Sequence, residues 1–201
     1  MTRYLPGILA MSALVVASNV LVQFLYGNWL TWGAFTYPFA FLVTDVMNRV
    51  YGPEAARRVV LAGFGVGVAS SLVAAGFEAT TLRIAVGSGL AFVAAQMTDV
   101  AVFDRLRAGS WWRAPLVSTL AGATIDTAIF FSVAFSATLS IINPVDDTSW
   151  ATGAVALLGH GPQAPLWVSL ALADWGVKLA LALLALPLFR IIVKRMTAKV
   201  A

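Results

Sequence analysis

The chain has no cysteine and a single histidine in 201 residues, and only 11% of its residues are charged. Without cysteine there can be no disulfide framework. With one histidine and no thiolate, no convincing zinc or haem site can be assembled, so no metal or other cofactor is expected. No glycine-rich loop carries a lysine of the phosphate-cradling kind, so there is no ATP site on this chain. The charged fraction is less than half that of an ordinary soluble domain, which is about a quarter. What replaces the missing charge is apolar: 60% of residues are hydrophobic and the mean hydropathy is +0.87. A soluble fold of this length could not hide so much apolar surface. A cytosolic enzyme, a secreted disulfide scaffold and a nucleic-acid-binding module are therefore excluded. Crossing a bilayer takes about 20 mostly apolar residues, so six crossings would use roughly 120 and leave about 80 for loops and tails. The reading is an all-α polytopic membrane protein forming one domain over residues 1–201.

The first charge-free run lies between Arg3 and Asp45 and is long enough for two spans, with Gly27, Asn28 and Trp29 as the turn. These spans are placed at residues 5–26 and 30–50, with Pro38 expected to kink or break the second. Four more follow at 59–77, 84–103, 114–139 and 167–193. Residues 141–164, marked by Pro144, Gly159, Gly161 and Pro162, form the one substantial loop, expected to be irregular. The first apolar stretch is longer than a signal-peptide core, and its removal would break the charge pattern, so it is read as retained.

Charge placement then sets the orientation. Arg3, the group Arg49, Arg57 and Arg58, the group Arg105, Arg107 and Arg113, and the terminal Arg190, Lys194, Arg195 and Lys199 fall on one side if the spans alternate. They are eleven of the thirteen basic residues. The positive-inside rule puts that side, and both termini, in the cytoplasm. The pI near 9.9 thus reflects insertion and anionic headgroups, with the lipid bilayer as partner and no nucleic acid. Trp29, Trp32, Trp111, Trp112 and Trp167 near span ends read as interfacial anchors, and His160 in the outer loop as solvated.

Ionisable groups at membrane depth are costly, so each needs a reason. Arg49, Glu78, Asp104 and Arg190 sit at span ends near water. Asp45, Arg83, Asp99, Asp126, Asp174 and Lys178 do not, and rise per residue puts Asp126, Asp174 and Lys178 nearest the midplane. Asp174 and Lys178 are four apart and can pair on one helix face, either as a packing pair or as a gate. Asp45 and Asp99 could pair with Arg49, Arg105 or Arg107, or line an inner exit. Asp126 has no basic residue within a turn, which favours a functional role. Ser118, Gly122 and Asp126 recur every four residues, a stripe suited to a cavity or a close helix contact. Gln96 with Asp99, Asp45 with Asn48, and Asn19 with Gln23 each share a face, the last pair being equally readable as interhelical glue. Five spans thus offer polar faces to a shared central cavity, and the third looks peripheral or purely packing. Gly63 and Gly67 form a small-xxx-small pattern that reads as helix packing.

Enzymatic chemistry finds no foothold. Gly87-Ser88-Gly89 has the look of a nucleophile turn, but no histidine lies at depth to activate it, and nothing selects a pair of aspartates as a protease dyad. Thr44-Asp45-Val46 and Thr98-Asp99-Val100 hint at an internal repeat of the kind transporters use.

Larger motifs carry a family resemblance. Trp32-Gly-Ala-Phe-Thr-Tyr-Pro-Phe-Ala-Phe-Leu-Val-Thr-Asp45, then Arg49-Val-Tyr-Gly52 and Ala55-Ala-Arg-Arg58, resemble the signature of the queuosine precursor transporter family, also called the vitamin uptake transporter family. The likeness continues at Arg83, Ser88, Ala91-Phe92, Gln96, Asp99 and Phe103, then at Trp111-Trp112, Ala114-Pro115, Ser118-Thr119, Asp126-Thr127 and Phe130, and at Ala173-Asp174 and Lys178. It departs from the family pattern at Arg49, where many members carry glutamate. The resemblance implies an importer in a bacterial inner membrane, taking up 7-cyano-7-deazaguanine or its aminomethyl relative for queuosine in tRNA. It also implies a six-helix fold similar to the substrate-binding subunits of energy-coupling-factor transporters.

The residues suit such a ligand. A guanine edge offers two adjacent donors and a carbonyl, which a carboxylate and an amide or cation can read while aromatics stack on the ring. The candidates are Asp126, Asp99 or Asp45; Asn19, Gln96 or Lys178, with Ser118; and Phe35, Tyr37 or Trp32. Asp126 is the first choice for the guanine edge, helped by Gln96 and Asn19. Asp174 with Lys178, and Arg83, are the gate or ion-pair candidates. A subunit that depends on a separate ATPase, a non-transporting structural subunit and an intramembrane hydrolase remain as alternatives, and a homodimer stays open.

Overall fold

The computed structural model describes residues 2–77, 79–142 and 144–200. Glu78 and the side chain of Lys199 lie outside the described part. The chain is helical nearly throughout. Helix α1 (Leu5–Leu21) opens with Pro6 in its first turn, where a missing N–H costs nothing. It ends five residues before the expected boundary, because the chain enters a hairpin: β1 (Leu25–Tyr26) pairs with β2 (Leu30–Thr31), and Trp32 N–H donates to Phe24 O at 2.9 Å. Gly27 holds φ +66°, the left-handed value such a turn asks of glycine. Residues 22–32 are apolar enough to extend a span by composition, yet composition does not separate a helix from a hairpin.

The second expected span is split. A single turn, α2 (Gly33–Thr36), precedes α3 (Phe39–Tyr51), and the break falls at Tyr37 and Pro38, since Pro38 has no N–H to continue the ladder. Gly52, at φ +90°, ends α3 and turns the chain directly into α4 (Pro53–Gly76), which starts six residues before its expected position. Pro53 and Glu54 are favourable first-turn residues. Helix α5 (Leu82–Leu106) is capped by Thr81, whose hydroxyl accepts from Ile84 N–H at 3.3 Å. Helix α6 (Arg113–Phe135) stops four residues short of the expected 139, because Ser136 takes an extended conformation. The last long helix, α8 (Leu166–Val200), contains Pro187.

Helices α4, α5, α6 and α8 are long and apolar enough to cross a membrane, while α1 is a shorter apolar helix of 17 residues. Large apolar side chains such as Leu72, Val73 and Leu184 face outward at 62–72% exposure, a surface that only lipid or protein can cover. This is an all-α multi-pass membrane protein.

The loop between α6 and α8 has more order than expected. It holds a short helix, α7 (Ser149–Thr152), and a hairpin of β3 (Ala154–Ala156) with β4 (Gln163–Pro165). Trp150 packs edge-on to Phe135, and the Leu158 N–H donates to buried Ser169 Oγ on α8 at 3.0 Å. The exposed His160 sits at its tip.

Small residues set the helix contacts. A Cβ on Gly63 would meet Met11 Cγ at 2.4 Å and one on Gly67 would meet Val15 at 3.2 Å, so the small-xxx-small pattern is the seat of α1 on α4. Gly122 faces Phe41 of α3 and the Ala95 carbonyl of α5 in the same way, so within the Ser118–Gly122–Asp126 stripe this position is a close helix contact. Helix α4 packs against α1, α3 and α5 on one side and leaves Leu61, Leu72 and Val73 exposed on the other, in keeping with the packing role expected for the third span.

Candidate functional site

Two layers of buried polar side chains and a cavity beside the first of them lie in the interior. In the first layer, Lys178 of α8 donates to Asp126 Oδ2 of α6 at 2.6 Å and to Thr127 Oγ1 at 3.1 Å, and it also binds Asp174 one turn earlier on its own helix. The Thr127 hydroxyl donates to Asp174 Oδ2 at 3.0 Å. The Tyr37 hydroxyl donates to Asp126 Oδ1 at 2.9 Å, and the ammonium lies 5.5 Å from the Tyr37 ring centroid. The pairing expected within α8 is therefore present, but it is half of a larger assembly. Asp126 has no basic neighbour along the chain and acquires one from 52 residues away.

The break at Pro38 places Tyr37. Its ring touches Phe41 of α3 and Phe92 of α5 edge-on. The same ring lines a cavity of about 60 Å³ together with Asn19, Phe64, Ser71, Ser88 and Phe92. That volume holds a few waters and is well below the roughly 300–1,000 Å³ of usual ligand pockets, so the arrangement is closed. Asn19 makes no side-chain hydrogen bond among the described residues, whereas Gln23 lies beyond the end of α1 and is exposed.

The second layer joins α3, α5 and α6. Asp45 accepts from Ser118 Oγ at 3.1 Å and Thr119 Oγ1 at 3.2 Å, and Asp99 lies against Asp45 and Ser118. No salt bridge among the described residues joins either carboxylate to Arg49, Arg105 or Arg107. Arg49 instead donates to the Arg107 carbonyl at 2.6 Å and covers the Phe103 ring. Gln96 meets Thr44 at 2.5 Å, and Asn48 donates to the Val100 carbonyl at 3.0 Å. The two Thr-Asp-Val segments thus lie side by side.

Other candidates sit apart. Trp32 and Phe35 cluster with Tyr26 beside the β1–β2 hairpin, at ring separations of 5.1–6.0 Å, and line neither layer nor cavity. Arg83 is fully buried. It donates to the Val133 carbonyl at 3.2 and 3.0 Å and to the Ser136 carbonyl at 2.7 Å, capping the end of α6. Among the described residues no metal-holding group of three or more His, Asp or Glu side chains converges. Thr119, Thr127 and Phe92 entered the sequence reading only within the motifs that carry the family resemblance and not as site candidates, and Phe64 and Ser71 carried no chemical signal in the sequence.

A family model described as "Putative vitamin uptake transporter" matches residues 31–192, which include both polar layers but not Asn19. The chain is 32% identical over 210 residues to the "Queuosine precursor transporter" of Escherichia coli (strain K12), covering 93% of this chain and 85% of the relative. It is 40% identical over 121 residues to the "Probable queuosine precursor transporter" of Haemophilus influenzae, covering 52% of each. It is 29% identical over 186 residues to the "Probable queuosine precursor transporter" of Bacillus subtilis (strain 168), covering 81% and 71%. No solved structure matches. The relatives are transporters, not enzymes. By a family model that covers most of its length and a relative that shares nearly all of it, the chain belongs to the queuosine precursor transporter family, the vitamin uptake transporters.

Proposed function

We propose that the chain imports queuosine precursors, 7-cyano-7-deazaguanine or its aminomethyl relative, across a bacterial inner membrane. In this reading it is one domain of six crossings, with α1 and the broken α2–α3 segment added to the four long helices. The arrangement resembles an energy-coupling-factor binding subunit, and both termini are cytoplasmic. The observation that carries the reading is Tyr37, whose ring lines the aromatic cavity while its hydroxyl donates to Asp126.

A 7-deazaguanine entering from the cavity would stack between Phe64, Phe92 and Tyr37. Its two edge donors would replace the Tyr37 hydroxyl on the Asp126 carboxylate, with Lys178 holding the carboxylate charged and oriented. Asn19 and Ser88 remain for the carbonyl, and the cyano or aminomethyl group extends away from the edge. Because the closed cavity is too small for the bicyclic ring, loading requires the helices to separate first, and the break at Pro38 is the natural place for that movement. Gln96, bonded to Thr44, and the Asp45–Asp99 layer lie on the inner path rather than at the ring, and Trp32 with Phe35 form part of the outer rim.

The test is complementation. Bacteria lacking both precursor synthesis and their own importer receive 7-cyano-7-deazaguanine, and queuosine in tRNA is measured with and without this protein. Wild type is expected to restore the modification and Asp126→Asn to lose most of it at equal membrane abundance. No restoration by well-expressed wild type refutes the reading.

A further inference from the structure

The inner polar layer holds buried chemistry that substrate recognition does not use. Asp45 and Asp99 are 2% and 0% exposed and face each other across the α3–α5 contact. Asp45 is served by the Ser118 and Thr119 hydroxyls, yet neither oxygen of Asp99 has a hydrogen-bond partner among the described residues. Two charged carboxylates in a low-dielectric interior repel, and a fully buried carboxylate with no donor is costly. A single proton between them removes both problems, because it cancels one charge and supplies the missing donor.

Among the described residues the surroundings offer no competing cation in contact. On α3 the nearest is Arg49, which feels Asp45 only at range and spends its bond on the Arg107 carbonyl. Arg107 of the α5 end pairs with Asp104. Helix α6 contributes only hydroxyls, α8 contributes Leu181, Ala182, Ala185 and Phe189 at this level, and Glu54 and Arg57 of α4 pair with each other in solvent. A cavity of about 20 Å³ between α3, α6 and α8 ends on Asp45 and Thr119, room for about one water.

We propose that the Asp45–Asp99 pair is a proton-binding site, and that one proton taken up there accompanies each substrate molecule inward. The proton forms an O–H bond on one carboxyl, donates to the other, and leaves to water by way of Asp45 when the site opens to the cytoplasm. No other bond forms or breaks. This rests on the importer reading above, and it adds the source of energy for that transport.

The experiment uses the purified full chain in phosphatidylethanolamine–phosphatidylglycerol vesicles with a pH dye inside and labelled 7-cyano-7-deazaguanine outside. Exchange at equal pH reports transport itself, and net uptake under an acid-outside gradient reports coupling. With one proton per substrate, a gradient of about one pH unit supports roughly tenfold accumulation, accompanied by acidification of the lumen. In Asp99→Asn and Asp45→Asn, whatever exchange remains is expected to ignore the gradient. If the variants do not fold, as judged by size-exclusion profile, the wild-type lumenal pH alone decides. Exchange that neither accumulates with the proton gradient nor acidifies the lumen, or that follows a sodium gradient instead, overturns the proton site while leaving the importer standing. Absence of any exchange by folded wild type overturns the importer and the proton site with it.

Discussion

Replacing Lys178 with methionine is the sharpest test of how the first polar layer is held. Methionine nearly matches the volume of lysine, so packing changes little. What changes is charge: the ammonium serves Asp126, Asp174 and Thr127 at once, and its side chain is 4% exposed while those of the two carboxylates are 7% and 15%. Without it, two buried carboxylates face each other with no cation. Breaking a buried pair by removing one partner costs about 3–5 kcal/mol. The unfolded chain in a membrane also finds partners for its polar groups, so the lower end, about 3 kcal/mol, is the fitting value. For a chain of this length each kcal/mol moves Tm by about 2–4 °C, so Lys178→Met is expected to lower it by roughly 6–12 °C. Asp174→Asn leaves a one-to-one pair between Lys178 and Asp126 and is expected to cost about 1 kcal/mol. Converting all three together, Lys178→Met with Asp126→Asn and Asp174→Asn, recovers most of the loss. The assay is thermal unfolding in detergent followed by the fluorescence of the seven tryptophans. A Lys178→Met protein as stable as Asp174→Asn, or a triple variant less stable than Lys178→Met alone, refutes the reasoning.

Three further outcomes follow from contacts elsewhere. Gly63→Leu drives a side chain into Met11, where even a Cβ would stand at 2.4 Å. It is expected to cost about 1–3 kcal/mol in the same unfolding assay, with Met11→Ala on top restoring part of it. Arg83→Met strips the donors from the Val133 and Ser136 carbonyls at the end of α6, so limited proteolysis of the 136–165 loop is expected to quicken severalfold at unchanged cleavage sites. In that loop the Ser149 side chain and N–H hold the Asp147 carboxyl below its ordinary range. A depressed folded value means the stabilisation is present above the ordinary carboxylate value of about 3.9 and is lost as pH falls through the folded one. Carboxyl NMR is expected to show an Asp147 midpoint below the ordinary carboxylate value, and Ser149→Ala is expected to move it upward.

Apolar length made the helices legible, and it also set where the boundaries went wrong. Residues 22–32 and 136–139 remain apolar after the backbone has left the helix, so hydropathy continues where hydrogen bonding does not. The α1 boundary carried the further expectation that Asn19 and Gln23 share a face, since four residues apart is one face only while the helix lasts, and α1 ends at Leu21. Asp174 with Lys178 was legible because the i, i+4 rule is local. The arrival of Asp126 and Tyr37 at the same ammonium depends on how α6 and the Pro38 break meet α8, which no local pattern encodes. The arginine partners expected for Asp45 and Asp99 failed for a similar reason. Arg49 and Arg107 lie near the right level, but backbone carbonyls accept from them instead, that of Arg107 at the α5 end from Arg49 and that of Asn48 on α3 from Arg107. The repeated Thr-Asp-Val was read as a weak sign and turns out to mark adjacent segments, Thr44 meeting Gln96 and Asn48 meeting Val100.

The two layers differ in a way that bears on their roles. Around Lys178 every charge has an opposite charge in contact, and the hydroxyls of Thr127 and Tyr37 fill the remaining directions, so that layer is complete without a ligand. Around Asp99 the donors run out, although the carboxylate is equally buried. A complete layer can afford to be opened by something that replaces its hydrogen bonds, and Tyr37 is the member best placed for that. It alone both touches the cavity and bonds the carboxylate, and it sits where the helix is already interrupted. An incomplete layer asks instead for a small positive species, and the single-water cavity at Asp45 admits nothing larger. In the two proposals, the flat heterocycle falls to Tyr37 and Asp126 and the proton to Asp45 and Asp99, two different sets of residues.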